Sequence, residues 1–157
     1  MKVPYFDLKR QYKSIQQQLE RRVIRTLRST QYSLGGEVEL FENNFSSFLE
    51  AKYCTGVNTG TSALHLALLA LGIGKGDEVI TVSMTFIATI MSISYTGAKP
   101  VFVDIDKKTQ LINYKNIIKK ISPKTKAIVV VHLYGQCAEM NEINKIAKKY
   151  KLRVIED

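Results

Sequence analysis

The stretch Asn58-Thr59-Gly60-Thr61-Ser62-Ala63-Leu64 decides which fold this chain is assigned. It follows the apolar run 53–57, which we interpret as a strand, and it begins the apolar-periodic run 63–71, which predicts a helix. A strand, a glycine turn with paired hydroxyls and a helix N-terminus often bind phosphate, because free N–H groups and the helix dipole both favour an anion. An ordinary strand-to-helix turn, capped by Thr61 or Ser62, is the alternative interpretation.

Alternating strand and helix patterns fill the rest of residues 51–157. The expected strands are 53–57, 78–82, 101–104, 127–131 and 152–156, and the expected helices between them are 63–71, 86–95, 114–121 and 139–151. Strands that are apolar on both faces and joined by helices are typical of a parallel sheet covered on both sides. The sequence therefore predicts an α/β fold with a mostly parallel sheet covered by helices.

Residues 1–50 carry a helical pattern instead. Apolar residues spaced by three and four predict one long amphipathic helix, and three phenylalanines mark a second helix after the Gly35-Gly36 turn. The first set is Leu8, Tyr12, Ile15, Leu19, Val23 and Leu27, and the second is Phe41, Phe45 and Phe48. We expect 1–50 to be an N-terminal helical segment that packs on the core or on a partner subunit, and 51–157 to be an incomplete α/β domain.

The composition is that of a soluble globular protein, with 45% hydrophobic and 24% charged residues. No window approaches the roughly 18 consecutive apolar residues of a membrane span, and the first residues contain no apolar signal core. Cys54 and Cys137 give neither a disulfide framework nor a metal-ligand spacing. We therefore expect a cytoplasmic protein that binds no metal and no membrane.

The net charge of +9 raises the question of nucleic acid binding. The lysines gather at 115–126 and 145–153, on the expected outer faces of helices or in loops, and no helix-turn-helix, zinc-finger or aromatic stacking pattern accompanies them. A solvated, lysine-rich surface is the favoured interpretation, so no nucleic acid partner is expected. The alternative, nucleic acid binding, predicts steeply salt-dependent retention on DNA.

Two familiar nucleotide-binding signatures are missing from the sequence. Gly56 and Gly60 are spaced by four residues and lack the third glycine of the dinucleotide fingerprint G-x-G-x-x-G. The P-loop pattern G-x-x-x-x-G-K-[ST] does not occur either. These observations argue against a Rossmann dehydrogenase and against a P-loop kinase.

The expected carboxyl ends of the strands, where ligands bind in parallel α/β sheets, carry polar and aromatic groups. These ends are 58–62, 83–86, 104–106, 132–136 and Asp157. A planar, phosphorylated, N-heteroaromatic cofactor such as pyridoxal 5'-phosphate (PLP) would use a phosphate-binding turn, an aromatic ring and a carboxylate that pairs with the ring nitrogen. Taken singly, Phe86 is also explained by core packing, His132 by a satisfied strand-end histidine and Asp157 by a helix cap.

Five motifs occur in order along the chain. They are Gly60-Thr61-Ser62-Ala63-Leu64, Met84-Thr85-Phe86-Ile87-Ala88-Thr89, Gly97-Ala98-Lys99-Pro100-Val101-Phe102-Val103-Asp104, His132-Leu133-Tyr134-Gly135-Gln136 and Ile155-Glu156-Asp157. Together with the opening Val3-Pro4-Tyr5-Phe6-Asp7-Leu8 and the Gly35-Gly36 turn, they resemble the DegT/DnrJ/EryC1/StrS family of sugar aminotransferases. The resemblance runs nearly from residue 3 to residue 157.

The resemblance implies a fold-type I PLP-transferase large domain, here truncated, in a homodimeric enzyme. The reaction that it implies is transamination of a nucleotide-linked keto-sugar, with glutamate as the amino donor. The site residues follow from the matching motif positions. Gly60, Thr61 and Ser62 would hold the cofactor phosphate, Phe86 would stack on the pyridine ring, Asp157 would bind the pyridine nitrogen, and His132 and Gln136 would lie near the cofactor.

The family's Schiff-base lysine lies C-terminal to the strand-tip aspartate, and this sequence ends at that aspartate, Asp157. No catalytic residue is therefore assigned, and we expect the chain to be the N-terminal part of a longer protein and inactive by itself. Some relatives carry histidine in place of the lysine and are PLP-dependent sugar dehydratases, which is one alternative function. A non-catalytic, truncated paralogue that acts as a binding or regulatory subunit is another.

Overall fold

The computed structural model describes residues 3–157, which form two compact units. The first unit ends at Gly56 and the second runs from Val57 to Asp157. The helical pattern of the sequence gives way to the strand–helix alternation at residue 51, a few residues before this division. The two units are described separately below.

The first unit consists of two helices, α1 (Leu8–Ser29) and α2 (Gly36–Phe48), as the sequence predicts. Asp7 caps α1 by accepting a hydrogen bond from the Arg10 N–H at 3.0 Å. Arg22 and Arg25 of α1 both pair with the Glu37 carboxylate of α2, and the Arg22 Nη1–Glu37 Oε2 distance is 2.8 Å. These two ion pairs join the helices across the turn between them.

The Gly35 backbone allows α2 to begin close to the end of α1. A Cβ atom at Gly35 would lie 2.7 Å from the Gln31 carbonyl oxygen, a distance that real Cβ atoms do not reach. A Cβ atom at Gly36 would meet nothing within 4 Å. The first glycine of the pair is therefore required by close backbone approach, and the second is not.

The second unit is an α/β domain. Its helices are α3 (Gly60–Ala70), α4 (Ile87–Tyr95), α5 (Tyr114–Ile117), which continues as a 3₁₀ turn (Ile118–Lys120), and α6 (Met140–Tyr150). Its strands are β1 (Glu78–Val82), β2 (Lys99–Val103), β3 (Thr125–Val130) and β4 (Arg153–Glu156), and a second 3₁₀ turn covers Leu133–Gly135. The predicted alternation of helices and strands from residue 63 onward is confirmed, with boundaries shifted by at most three residues when α5 is counted together with its 3₁₀ turn.

The four strands form one parallel sheet in the order β2-β1-β3-β4. Helices α3 and α4 cover one face, where Leu68 and Ile93 pack with Val79 and Val129. Helices α5 and α6 cover the other face. Each fully buried Leu, Ile or Val contributes roughly 1.5–3 kcal/mol to folding. The predicted α/β class, with a parallel sheet covered by helices, is confirmed.

The predicted strand at 53–57 is wrong. Residues 53–57 have no ladder partner in the part of the chain that the structure describes, and the Tyr53 side chain is 78% exposed. The Gly56 N–H, which a strand would donate to its neighbour, instead donates to Glu42 Oε1 at 2.6 Å. The apolar pattern of five residues is too short to specify a strand without a partner strand, and glycine weakens the strand further.

Candidate functional site

A cleft of about 380 Å³ opens at the carboxyl ends of the strands of the second unit. After β1 the chain forms β2 on one side of β1, and it later forms β3 on the other side of β1. Ligands of parallel sheets bind at such a reversal, because the two diverging connections leave a crevice between them. The walls of the cleft come from the start of α3, the segment before and within α4, the turn after β3, and Asp157.

The start of α3 forms one wall, through Gly60 and Thr61. Thr59 caps the helix: its Oγ1 accepts the Ser62 N–H at 3.0 Å and lies 3.0 Å from Ser62 Oγ. The alternative of a cap by Thr61 or Ser62 is therefore wrong. Since Thr59 engages the N–H of Ser62, the N–H groups of Gly60 and Thr61 are the free donors of the first turn within residues 3–157.

Ser62 does not line the cleft, although it belongs to the predicted phosphate site. Its side chain and its N–H are both hydrogen-bonded to Thr59 at the base of the helix. Ser62 thus fixes the first turn of α3, and the cleft itself is bordered by the two residues that precede it.

Phe86 forms the opposite wall, immediately before α4. Its side chain is 75% exposed, so the ring is not part of the hydrophobic core. The alternative explanation of Phe86 as core packing is therefore wrong. An exposed aromatic ring at the rim of a polar cleft is available to cover a planar ligand.

Asp157 places a carboxylate in the cleft. Its backbone continues the β3–β4 ladder, because its N–H donates to the Val130 carbonyl at 2.7 Å and its carbonyl accepts the His132 N–H at 2.8 Å. Its Oδ2 accepts a hydrogen bond from Thr89 Oγ1 at 2.5 Å, and Thr85 Oγ1 lies 2.9 Å from Thr89 Oγ1. Both the main chain and one carboxylate oxygen of Asp157 are held in place.

Thr89 was not assigned a role from the sequence. It is 1% exposed and lies in the first turn of α4, between the apolar residues Ala88 and Ile90. A hydroxyl between apolar residues of a helix was the available signal that Thr89 is hydrogen-bonded, because buried hydroxyls almost always have a partner. Its partner lies 68 residues away in sequence, which the local pattern does not reveal.

His132 lines the cleft, and both of its ring nitrogens are engaged by the protein. Nδ1 accepts the Ala138 N–H at 3.2 Å, and Nε2 lies 2.9 Å from Glu156 Oε2. Because Nδ1 is an acceptor, the neutral ring carries its proton on Nε2 and donates it to Glu156. This geometry is that of a satisfied strand-end histidine, and a direct role of His132 toward a cofactor stays a prediction.

Two residues of the turn after β3 border different cavities, and the prediction that Gln136 lies near a cofactor stays a prediction. Gln136 lies outside the cleft and borders a separate cavity of about 190 Å³ together with Cys137 and Tyr114. Tyr134, which the sequence did not single out, lines the cleft with a 94% exposed side chain and a φ of 56°. A left-handed backbone is uncommon for a bulky residue, so the conformation of Tyr134 is an outlier in this turn.

Three further observations concern groups that are absent from the described part of the chain. Residues 3–157 contain no cluster of three His, Cys, Asp or Glu side chains that could hold a metal ion. None of the helices in this range has the length and apolar character that crossing a bilayer requires. The lining of the cleft includes no lysine among the described residues.

Comparison with known proteins gives one consistent result. A curated relative, dTDP-3-amino-3,6-dideoxy-alpha-D-galactopyranose transaminase from Aneurinibacillus thermoaerophilus, is 50% identical over 155 residues, which are 99% of this chain and 43% of the relative. The crystal structure of S. venezuelae DesV in complex with a ketimine intermediate superposes with a TM-score of 0.95 at 40% identity, covering 98% of this chain and 42% of that chain.

A second solved structure is similar over the same region. It is Bacillus subtilis NtdA with bound cofactor PMP, with a TM-score of 0.92 and 36% identity over 99% of this chain and 36% of that chain. The chain therefore spans less than half the length of the relatives that it matches. Residues 13–157 match the family model, and the motifs that border the cleft lie within this range, so the chain belongs to the DegT/DnrJ/EryC1/StrS aminotransferase family.

Proposed function

We propose that the cleft of the second unit binds PLP, and that the protein transfers an amino group from glutamate to a nucleotide-linked keto-sugar. One observation carries the proposal: the free N–H groups of Gly60 and Thr61 and the Asp157 carboxylate border the same cleft in a chain of this family. The name of the Aneurinibacillus relative describes a transaminase of a dTDP-linked amino sugar, which supports the substrate class.

The chemistry of the cleft walls fits the phosphate of such a cofactor. Gly60 and Thr61 offer backbone N–H donors at the positive end of the α3 dipole, and anions at such ends gain typically 0.3–1 kcal/mol from the dipole. A Cβ atom at Gly60 would meet no atom within 4 Å, so the space in front of this turn is open. We assign the phosphate to this wall, with Ser62 fixing the turn from behind.

The opposite end of the cleft fits the ring. The Asp157 carboxylate would pair with the ring nitrogen, and the exposed Phe86 side chain would cover one face of the ring. Bound in this way, PLP would supply an electron sink, its protonated ring, for the negative charge that develops at the carbon bearing the amino group. A carboxylate beside the ring nitrogen favours the protonated ring, because an opposite charge stabilises the charged form.

The lysine that binds the cofactor covalently in this family has no counterpart on the described cleft. We propose that it belongs to a segment that follows Asp157 in the full-length protein, and that residues 1–157 alone bind the cofactor without covalent attachment and do not transaminate. A non-catalytic binding protein is the second candidate, because the described walls of the cleft lack this nucleophile.

The remaining features of the proposal concern the whole protein. We propose a cytoplasmic homodimer in which 1–50 is a helical segment that packs on the core or on the partner subunit, and 51–157 is the incomplete cofactor-binding domain. The apolar stripe of α1 and the phenylalanines of α2 support a packing role, since none of these side chains is buried within the first unit.

The test uses the full-length protein, PLP, glutamate and a panel of nucleotide-linked keto-sugars, with the aminated sugar detected by mass spectrometry and cofactor binding by absorbance. We expect glutamate-dependent amination and a PLP affinity that falls on the order of tenfold in Asp157→Asn, because a charge-assisted hydrogen bond is lost. Asp106→Asn is the matched control, since Asp106 borders a different cavity.

Each outcome has a distinct meaning. PLP binding without amination of any sugar would favour the non-catalytic candidate. Release of the sugar's hydroxyl group in place of amination would identify a dehydratase. No PLP binding, or equal loss of PLP affinity in the Asp157 and Asp106 variants, would refute the assignment of the cleft.

A further inference from the structure

Three oxygen-bearing side chains form a continuous hydrogen-bonded row at the base of the cleft. Thr89 Oγ1 donates to Asp157 Oδ2 at 2.5 Å, and Thr85 Oγ1 lies 2.9 Å from Thr89 Oγ1. A hydroxyl group has a single proton. Because the Thr89 proton goes to the carboxylate, the Thr85 hydroxyl must donate to the Thr89 oxygen, so the direction of the whole row is set.

The row leaves Asp157 with one free oxygen. Its N–H and carbonyl are bonded to Val130 and His132, and Oδ2 is bonded to Thr89. Within residues 3–157, Oδ1 accepts no hydrogen bond, although Asp157 borders the cleft. The two oxygens of this carboxylate are therefore not equivalent: one is held by the protein and the other is available to a ligand.

We propose that Thr89 is a positioning residue that fixes the rotamer of Asp157, so that Oδ1 meets the protonated ring nitrogen of the bound cofactor. The inference rests on the proposed function, because it concerns the ring that the cleft is proposed to bind. The hydroxyl of Thr89 is already engaged by Asp157 and Thr85, so its proposed role is exercised through the carboxylate. Thr89 is 1% exposed, so the protein shields its hydroxyl from water, and a charge-assisted hydrogen bond from a shielded donor holds a side chain more firmly than one from an exposed donor.

Two substitutions separate the hydroxyl of Thr89 from its shape. Thr89→Val keeps the volume and removes the hydroxyl, whereas Thr89→Ser keeps the hydroxyl and removes a methyl group. If Thr89 served only to fill space, Thr89→Ser would be the more harmful change. If it positions Asp157, Thr89→Val is harmful and Thr89→Ser restores binding.

Thr81 provides a matched control for a buried threonine. Thr81 lies in the second unit, as Thr89 does, and it is 0% exposed. Its hydroxyl has no hydrogen-bond partner within the described residues. Thr81→Val therefore makes the same chemical change at a buried site that is not connected to Asp157. We expect it to leave ligand affinity unchanged.

Two probes separate ring pairing from phosphate binding, and both act on the full-length protein without any covalent bond. Pyridoxamine 5'-phosphate has a ring nitrogen and a phosphate, whereas benzyl phosphate has an aromatic ring and a phosphate but no ring nitrogen. We expect Thr89→Val to lower the affinity for pyridoxamine 5'-phosphate about tenfold, because the charge-assisted hydrogen bond that holds the Asp157 carboxylate is lost. The affinity for benzyl phosphate, followed by NMR shift titration, should change less than about twofold, because its binding does not involve Asp157.

The outcomes distinguish the inference from the function on which it rests. A wild-type protein that does not bind pyridoxamine 5'-phosphate would overturn both. A wild-type protein that binds it, with Thr89→Val binding equally well or losing both probes in the same proportion, would overturn the role of Thr89 alone. Selective loss of pyridoxamine 5'-phosphate in Thr89→Val, with recovery in Thr89→Ser and no effect in Thr81→Val, is the expected result.

Discussion

His132 Nε2 lies 2.9 Å from Glu156 Oε2, so the second residue after β3 is tied by its side chain to the last residue of β4. The same ring accepts the Ala138 N–H through Nδ1 at 3.2 Å. One imidazole thus connects the ends of the neighbouring strands β3 and β4 with Ala138, the residue at the end of the following turn. The turn between these contacts includes Tyr134, which lines the cleft.

The first prediction concerns this turn. His132→Ala should speed hydrogen exchange of the Ala138 amide about fivefold, because the loss of one hydrogen bond costs about 1 kcal/mol of local stability. His132→Asn is the matched control, since the Asn Oδ1 occupies the position of Nδ1 and can still accept from Ala138. Equal exchange rates in wild type and His132→Ala would show that the ring does not hold the turn.

The second prediction concerns the hydroxyl of Thr81, which has no hydrogen-bond partner among residues 3–157. Thr81→Val should raise the free energy of unfolding by about 1 kcal/mol, because a buried hydroxyl without a hydrogen bond is a desolvation cost. Thr125→Val should lower it by about the same amount, since the buried Thr125 Oγ1 accepts the Ser122 N–H at 2.9 Å. Urea unfolding measures both, and changes of the same sign in the two variants would contradict the assignment of Thr81 as unsatisfied.

The third prediction concerns the turn between α1 and α2. Gly35→Ala should destabilise the first unit by on the order of 1–3 kcal/mol, because the new Cβ atom collides with the Gln31 carbonyl and the backbone must move. Gly36→Ala, one residue further on, meets open space and should be neutral or slightly stabilising. Helical circular dichroism during urea unfolding reports on both variants. Indistinguishable midpoints for the two would mean that the chain accommodates a side chain at Gly35.

The fourth prediction concerns the pH dependence of the first unit. Hydrogen bonds from Arg25 and then from Arg22 lower the pKa of Glu37 below its ordinary value of 4.5. Since the folded pKa lies below the unfolded one, this group stabilises the folded state above about pH 4.5, and the contribution is lost as the pH falls from there through the folded pKa.

Glu37→Gln removes this pH-dependent contribution. Thermal unfolding followed between pH 6 and pH 3 should therefore show a smaller drop in midpoint temperature for the variant than for wild type. Glu39→Gln is the control, because Glu39 lies in the same first turn of α2 and takes part in none of the ion pairs of the described residues. A variant that loses as much midpoint temperature as wild type would contradict the role of Glu37.

Local patterns were sufficient for most of the second unit. The apolar runs that became β1 and β3 are buried on both faces of the sheet, so their composition reflects their position directly. The run 53–57 is also short and partly apolar but contains Gly56, and it failed as a strand because pairing depends on a neighbour that a local pattern cannot specify. Whether a segment becomes a strand depends also on the segment that pairs with it, and a local pattern describes only one of the two.

The candidate site was predicted unevenly for the same reason. Gly60, Thr61, Phe86, His132 and Asp157 follow strands or open helices, and the structure brings these five to one cleft. Thr89 was missed because its role is set by a contact with a residue far away in sequence, and Gln136 lies elsewhere because the 3₁₀ turn at Leu133–Gly135 redirects the chain before it. The sequence indicates which side chains lie near strand ends, but it does not indicate their hydrogen-bond partners or the cavity that each one borders.

The strand order has a consequence for how the protein is made. All the pairings in the sheet are parallel, and β3 contacts both β1 and β4, so each new strand docks only after a long connection has closed. The cleft needs the start of α3, which emerges early from the ribosome, and Asp157, which emerges after β4. On the proposed function, a nascent chain that stops before Asp157 carries the donors of the first wall but lacks the carboxylate that would pair with the cofactor ring. Tight cofactor binding would then be a late step of biogenesis, and it would mark chains whose sheet has already assembled.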